Sequence, residues 1–192
     1  MDKNMENECK VLLNSEDYEI IFNYFKLDKS QPIKQVNYYF DTLNLNLANN
    51  KYNLRVRHIL NDDIFTLTVK IPQQDGSNLE INEDITFEAF KDFIELHKVP
   101  DGYICEQLKS INKDVIVLLA SLITTRYEFE YNDGIIALDY NEYNGKYDYE
   151  IEFEGKNMDH SRLTIAKLLD NLDIDFSFSK ISKRKRAIES RL

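Results

Sequence analysis

Charged side chains recur at every second position along several strand-like segments of this chain. The first segment contains ENECK at residues 6 to 10, in which Glu6, Glu8 and Lys10 alternate with Asn7 and Cys9. Alternate side chains of a β-strand leave opposite faces, so these three charged groups share one face. The spacing therefore predicts a strand with two acids and a base on one side, a face that needs an explanation.

The same period of two recurs in four further segments. Arg55 and Arg57 alternate with apolar residues in NLRVR, and Lys70 follows two threonines on one face of FTLTVK. Two later segments carry longer charged rows, namely Arg126, Glu128 and Glu130 in TTRYEFEY and Asp148, Glu150, Glu152 and Glu154 in YDYEIEFE. A sheet with one face in water explains any one such strand. Charges of both signs on successive strands also suit the inside of a barrel, where they must be paired, hydrated or matched to a ligand.

Strand-like segments dominate the chain and predict an α+β fold built on an antiparallel sheet. Eight segments read as strands, which is enough to close or nearly close a barrel. They are residues 5–13, 35–42, 52–60, 63–71, 78–84, 121–132, 135–142 and 146–154. The turn sequences NDD at 61–63 and NDG at 132–134 predict hairpins between neighbouring strands.

Helical periodicity appears in three main places: SEDYEIIFNYF, TFEAFKDFIELHK and DHSRLTIAKLLDNL. Their predicted N-caps are Asn14 or Ser15, Thr86 and Asp159. The segment GYICEQLKSINKDVIVLLASL suits a helix at CEQLKSI and an extended chain afterwards, so the sequence predicts only that it is buried.

Composition narrows the class of protein. The 192 residues suit one domain, and no linker or repeat divides residues 1–192. A net charge of −10 argues against non-specific binding to nucleic acid or to an anionic membrane. No apolar run is long enough to cross a bilayer, and the N-terminus does not resemble a secretory signal. Cys9 and Cys105 suit reduced structural thiols, so we expect a cytoplasmic protein.

Ordered motifs identify a resemblance that covers nearly the whole chain. The ExExK signature at Glu6, Glu8 and Lys10 is followed by YYFDT at 38–42, LRVR at 54–57 and LTVK at 67–70. TTRYEFE at 124–130, ALDYNEYNGKYDYEIEFE at 137–154 and SKRKRA at 182–187 complete the series. In this order the motifs resemble the CYTH superfamily, the triphosphate tunnel metalloenzymes, which include inorganic triphosphatases, thiamine triphosphatases and class IV adenylate cyclases.

The resemblance implies an eight-stranded antiparallel β-barrel, a triphosphate tunnel, with helices packed outside. It implies a metal-dependent triphosphatase that cleaves the terminal phosphate of inorganic triphosphate or a small organic triphosphate. By motif position, the substrate-binding bases are Lys10, Arg55, Arg57, Lys70, Arg126, Lys183 and Arg186. The carboxylates for Mg²⁺ or Mn²⁺ are Glu6, Glu8, Glu80, Asp139, Glu150 and Glu152. Glu6, Glu8 and Lys10 are the implied catalytic residues.

Several alternatives stay open at this level. Glu83 competes with Glu80 for the position of the mid-chain acid, and Lys180 and Arg184 compete within the C-terminal basic motif. The alternative enzyme is an adenylate cyclase that makes cyclic AMP and pyrophosphate from ATP. A third hypothesis is a non-catalytic module that binds polyphosphate or a nucleotide, although such a module gains little from so many carboxylates. Apolar positions on the predicted helices are compatible with a homodimer and do not require one.

Overall fold

The computed structural model describes residues 2–62, 64–74, 77–111 and 114–191. The strands within these ranges are β1 (Asp2–Glu6), β2 (Glu8–Leu13), β3 (Ile33–Thr42), β4 (Asn53–Ile59), β5 (Phe65–Pro72), β6 (Asn78–Ile85), β7 (Ile116–Tyr131), β8 (Gly134–Tyr143) and β9 (Lys146–Glu154). The helices are α1 (Ser15–Tyr24), α2 (Asn46–Asn49), α3 (Phe87–Leu96), α4 (Tyr103–Ile111), α5 (Met158–Asn171) and α6 (Lys183–Glu189).

The described residues form two compact units, and each unit combines distant parts of the chain. The first unit contains residues 1–6 and 35–122, as far as they are described, and the second contains residues 7–34 and 123–192 within the same limits. In the first unit the strand order is β1-β6-β5-β4-β3, and in the second it is β7-β8-β9-β2. Each of these neighbours pairs antiparallel, which confirms the α+β class and the antiparallel sheet.

Each unit has its own apolar core on one face of its strands. In the first unit, Phe40 of β3 stacks on Phe93 of α3 with ring centroids 4.0 Å apart, among the buried side chains of β4 and β5. In the second, Ile165 and Leu168 of α5 pack with Phe153 of β9 and with residues of α1 and β2. The opposite face of each set of strands is left for the charged residues, as the period of two predicts.

Most predicted strands are confirmed, with two corrections to their limits. The predicted strand 5–13 is two strands, because the ladder of β1 with β6 ends at Glu6 and that of β2 with β9 begins at Glu8. The described part of the chain therefore holds nine strands rather than eight. The segment with uncertain structure is helical as α4 and then extended, so β7 begins at Ile116 rather than near residue 121.

Both predicted hairpins are present as antiparallel pairs. Asn132 and Asp133, with φ of 43° and 57°, form the left-handed pair that a two-residue turn between β7 and β8 requires. β4 and β5 also pair antiparallel, although residue 63 of the NDD turn lies outside the described residues.

Two of the three predicted N-caps are confirmed, and the third is corrected. Asn14 and Thr86 cap α1 and α3, with side chains that accept hydrogen bonds from the first-turn amides. The prediction of Asp159 as N-cap is wrong, because the cap lies two residues earlier at Asn157, whose side chain accepts from the His160 amide at 2.8 Å. Among the helices of the described residues, none combines the length and the apolar character needed to cross a membrane.

Candidate functional site

The first charged cluster lies on the polar face of the first unit. The register of β5 and β6 places Lys70 directly opposite Glu80. Lys70 Nζ contacts the carboxylate of Glu6 at the end of β1 and lies 3.2 Å from Glu80 Oε2. Arg55 Nη2 on β4 lies 3.5 Å from the same Glu80 oxygen. We call these four residues the Glu80 cluster.

Charge, rather than burial, sets the protonation state of Glu80. Burial by itself raises the pKa of this carboxyl, but Arg55 and Lys70 outweigh it and hold the pKa at about 2. Glu80 is therefore ionised at neutral pH. Arg55 has an unsatisfied group as well, because its buried Nε finds no hydrogen-bond partner among the described residues. A buried guanidinium donor of this kind is available to an anionic ligand.

The structure separates Glu80 from its competitor Glu83. Glu83 accepts hydrogen bonds from the backbone amides of Tyr103 and Ile104, at 2.8 and 3.0 Å, and so caps the first turn of α4. Glu80 lies in the charged cluster instead. Arg57 shares the face of Arg55 and donates to Asn37 Oδ1 on β3 at 3.3 Å.

The second charged cluster arises from the register of β7, β8, β9 and β2. Arg126 faces Asp139, and Asp139 faces Glu150, across successive strands. Lys10 faces Glu152 across β2 and β9. Arg126 binds Asp139 through two parallel hydrogen bonds of 2.8 and 2.7 Å, and its Nη2 also lies 2.6 Å from Glu152 Oε2.

The chain after α5 returns to this face and completes the cluster. Ser179 N donates to Lys10 O at 2.9 Å, so the chain runs beside β2 before α6 begins. Lys183 Nζ then lies 2.9 Å from Asp139 Oδ2, 2.5 Å from Glu150 Oε1 and 2.6 Å from Glu152 Oε1.

One turn further along α6, Arg186 Nη1 lies 2.6 Å from Glu150 Oε2. At the other end of the cluster, Lys10 Nζ lies 2.7 Å from Glu8 Oε1 and 3.5 Å from Glu152 Oε1. We call this set the Glu152 cluster, with members Glu8, Lys10, Arg126, Asp139, Glu150, Glu152, Lys183 and Arg186.

The carboxyls of the Glu152 cluster differ in pKa. Burial raises the pKa of Glu152 and Asp139, but neighbouring bases outweigh it and hold both pKa values below the usual range; Lys183 contributes at each. At Glu150, burial has the largest effect and raises the pKa of the carboxyl to about 7. Lys183 acts to lower this pKa and the neighbouring Glu152 acts to raise it. The pKa of Lys183 shifts in the opposite direction to those of Asp139 and Glu152: burial alone would lower it, but the carboxylate partners outweigh burial and raise it.

Three of these carboxylates form a group that suits a metal ion. One oxygen from each of Asp139, Glu150 and Glu152 lies within 4.8 Å of the others, and all three residues are buried. An all-oxygen carboxylate set matches the ligand preference of Mg²⁺ and Mn²⁺. The residues present therefore fit the predicted metal. Glu6 and Glu80 lie in the other cluster, and Glu8 lies on Lys10.

The predicted site residues thus fall into two groups, one in each unit. In the C-terminal motif, Lys183 and Arg186 contact the carboxylates, whereas the competitor Lys180 is exposed and Arg184 is half-buried. The prediction missed Asp148, which accepts from Arg186 Nε at 2.8 Å. The alternation in YDYEIEFE already placed Asp148 on the face of Glu150, so the signal was present in the sequence.

Cysteine chemistry has no part in either cluster. Cys9 and Cys105 are free and buried, and burial raises the pKa of the Cys9 thiol to about 12. Cys9 also faces the apolar core of the second unit, away from the charged row of β2. The groups available for chemistry in the two clusters are therefore carboxylates, lysines and arginines.

Comparisons with known proteins agree with this geometry. YjbK of Bacillus subtilis, a protein with a proposed triphosphatase assignment, is 31% identical over 91% of this chain and 90% of its own length. A crystal structure of an adenylate cyclase candidate from Bacillus halodurans, bh2851, is 31% identical with a TM-score of 0.89, over 97% of this chain and 98% of that chain. The Hippeastrum protein HpAC1, at 22% identity, has the same fold with a TM-score of 0.77, over 97% of this chain and 96% of its own. The CYTH domain model matches residues 4–182, and the predicted fold and family are confirmed: the chain belongs to the CYTH domain family.

Proposed function

We propose that this protein is a divalent-metal-dependent phosphohydrolase that cleaves the terminal phosphate of inorganic triphosphate or a small organic triphosphate. The observation that carries the proposal is the Glu152 cluster, in which three buried carboxylates converge among the bases Lys10, Arg126 and Lys183. A protein that only binds anions needs the bases and gains little from the carboxylates. Acids and bases together suit a polyanion that arrives with divalent cations.

The bases have the role of phosphate ligands. Arg126 has a planar guanidinium that engages two oxygens at once, as it does with Asp139. In the Glu80 cluster, Arg55 offers the unsatisfied Nε, and Lys70 lies beside it as a second cation. Arg57 is proposed as a further ligand on the same face. Such groups neutralise the charge that builds on phosphoryl oxygens during transfer.

The carboxylates have the role of metal ligands. Asp139, Glu150 and Glu152 would hold Mg²⁺ or Mn²⁺, and we propose Glu6, Glu8 and Glu80 as further ligands. Ions held by these carboxylates would supply positive charge for binding the triphosphate and for orienting an attacking water. Glu6, Glu8 and Lys10 are the proposed catalytic residues.

A second function deserves a direct test because of one comparison. The Bacillus halodurans structure is described as an adenylate cyclase candidate. In that chemistry the ribose hydroxyl of ATP attacks the innermost phosphate, and pyrophosphate leaves. The triphosphatase assignment of YjbK and the dominant triphosphatase activity described for the Hippeastrum protein support hydrolysis as the first candidate.

The first experiment measures the products of the wild-type protein. Purified protein is given inorganic triphosphate, ATP or thiamine triphosphate with Mg²⁺ or Mn²⁺, and phosphate, pyrophosphate and cyclic AMP are measured in parallel. We expect metal-dependent release of phosphate without cyclic AMP. Cyclic AMP with one pyrophosphate per turnover would establish the cyclase instead, and tight binding without any turnover would establish a binding module.

A carboxylate variant tests the site itself. We expect Glu8→Gln to reduce turnover by about a hundredfold, since it removes a charge next to Lys10 and a proposed metal ligand. Glu95→Gln is the matched control, because Glu95 lies at the surface of α3 and pairs with Lys91. Unchanged turnover in a folded Glu8→Gln protein would contradict the assignment.

Further properties remain proposals from the sequence. We propose that residues 1–192 act as one domain, a proposal supported by a family model that spans residues of both units. A cytoplasmic location and a homodimer are retained as proposals on the sequence arguments alone.

A further inference from the structure

Helix α6 is held against the strands of the second unit by several polar contacts. Lys183 and Arg186 make ion pairs with the strands, and Asn144 Nδ2 donates to Ala187 O and Ser190 Oγ at 2.9 and 2.7 Å. Ala187 is the helix residue that is fully buried among those described. The position of α6 therefore depends on which cations the carboxylates of the sheet hold.

Lys183 lies at the point where those carboxylates converge. Its Nζ is within 2.9 Å of one oxygen from each of Asp139, Glu150 and Glu152, the same three residues that form the candidate metal group. Metal–oxygen distances for Mg²⁺ are about 2.0 to 2.1 Å, so an ion held by these oxygens would overlap the ammonium group. The two cations exclude each other from the three carboxylates.

We propose that Lys183 is an internal cation that holds the three carboxylates in the metal-free protein and is displaced from them by the divalent metal. This inference rests on the metal site of the proposed function. Lys10, Arg126 and Arg186 pair with individual members of the triad, while Lys183 contacts all three. Buried carboxylates need paired cations, so the lysine completes the pairing until the ion arrives. Once displaced, the Lys183 ammonium has lost its three partners and is available to an anionic ligand.

The displacement is confined to the first turn of α6. Arg186 keeps Asp148, which lies outside the triad, through contacts of 2.8 and 3.2 Å. Asn144 keeps its two contacts with the C-terminal end of the helix. The helix therefore stays tethered at one end while Lys183 leaves the carboxylates. A monovalent ion offers no more charge than the ammonium it would replace, so the exchange favours divalent ions.

Chemical labelling of lysines tests the exchange in the wild-type protein. The metal-free protein is acetylated with N-hydroxysuccinimidyl acetate, alone, with Mg²⁺ or Mn²⁺, and with NaCl at matched ionic strength, and peptides are quantified by mass spectrometry. We expect acetylation of Lys183 to rise about tenfold with the divalent ion and to fall again with EDTA, because the amine leaves a buried ion-paired position. Lys185 on the same helix is the internal control and should react equally in all samples, since it is exposed at the surface.

Calorimetry with metal alone gives a second measurement. Lys183→Met should bind the metal about tenfold more tightly than the wild type, because the competing cation is gone, and Lys185→Met should match the wild type. The labelling result stands even where Lys183→Met does not fold.

The inference is overturned if Lys183 stays protected in wild-type protein, whether calorimetry shows bound metal or none. Its failure is distinguishable from failure of the proposed function. Metal-dependent phosphate release with a protected Lys183 removes the exchange and keeps the enzyme. Metal-dependent exposure of Lys183 without turnover of any triphosphate keeps the exchange and removes the enzyme.

Discussion

At the scale of single residues, neighbouring charged residues of one segment have two different roles. Glu80 and Glu83 are three positions apart, yet one joins basic side chains and the other holds the amides that open α4. The sequence places both on strand β6, and an odd separation puts them on opposite faces, but only the register with β5 shows that Glu80 is the one opposite Lys70. Lys183 shows the same limit: its motif position was predicted, but its three partners follow from the return of the chain along β2.

Asp41 in the YYFDT motif has a structural role that a mutation can measure. Its fully buried carboxylate accepts hydrogen bonds from the amides of Thr42, Leu47 and Ala48 and so fixes the start of α2. We expect Asp41→Asn to lower the free energy of unfolding by about 1 to 3 kcal/mol, because the amide nitrogen cannot accept a hydrogen bond. Urea denaturation measures the change. Asp101→Asn, at an exposed carboxylate, is the control, and a difference below about 0.5 kcal/mol between the two variants would refute this role for Asp41.

At the scale of elements, alternation and turn chemistry predicted most strands, while element ends were less certain. Residues 5–13 read as one strand because the period of two continues through Asn7, and the change of partner at that residue leaves no mark in the sequence. The start of β7 was uncertain for a different reason: the apolar run after α4 fits a buried helix or a buried strand equally well, and in the structure it belongs to β7.

The corrected cap of α5 gives a test at this scale. Asn157→Ala should destabilise the protein by about 1 kcal/mol, because the His160 amide loses its acceptor. Asp159→Ala, within the first turn of the helix, should cost only a few tenths of a kcal/mol through the helix dipole. Thermal or urea unfolding of both variants measures the order, and a larger effect at Asp159 would restore the cap predicted from the sequence.

At the scale of the whole molecule, the buried carboxylates predict how stability depends on pH. The pKa values of Glu80, Asp139 and Glu152 are lower in the folded protein than in the unfolded chain. Each carboxylate therefore stabilises the fold when the pH is above its unfolded pKa, and this contribution is lost as the pH falls through its folded pKa. Glu150 has a raised pKa of about 7, so its burial costs stability above that pH and the cost is relieved as pH falls towards 4.5.

Stability should therefore rise slightly from pH 8 to pH 5 and then fall. Urea unfolding of metal-free protein between pH 3 and pH 8 measures this curve. Glu80→Gln should flatten the acid side, because one carboxylate with a pKa near 2 contributes about 2 to 3 kcal/mol at neutral pH. If the free energy of unfolding falls equally steeply below pH 5 in the variant and the wild type, the lowered pKa of Glu80 is contradicted.

The division of each unit between distant chain segments has a consequence for synthesis on the ribosome. Strand β2 and helix α1 emerge early, but β9, with which β2 pairs, follows about 140 residues later, as the separation of Lys10 and Glu152 shows. At elongation rates of about 5 to 20 residues per second, these apolar side chains wait on the order of ten seconds for their partners. The apolar side chains of β2 and α1 therefore lack their partners during most of translation, and the core of the second unit forms only after β9 has left the exit tunnel.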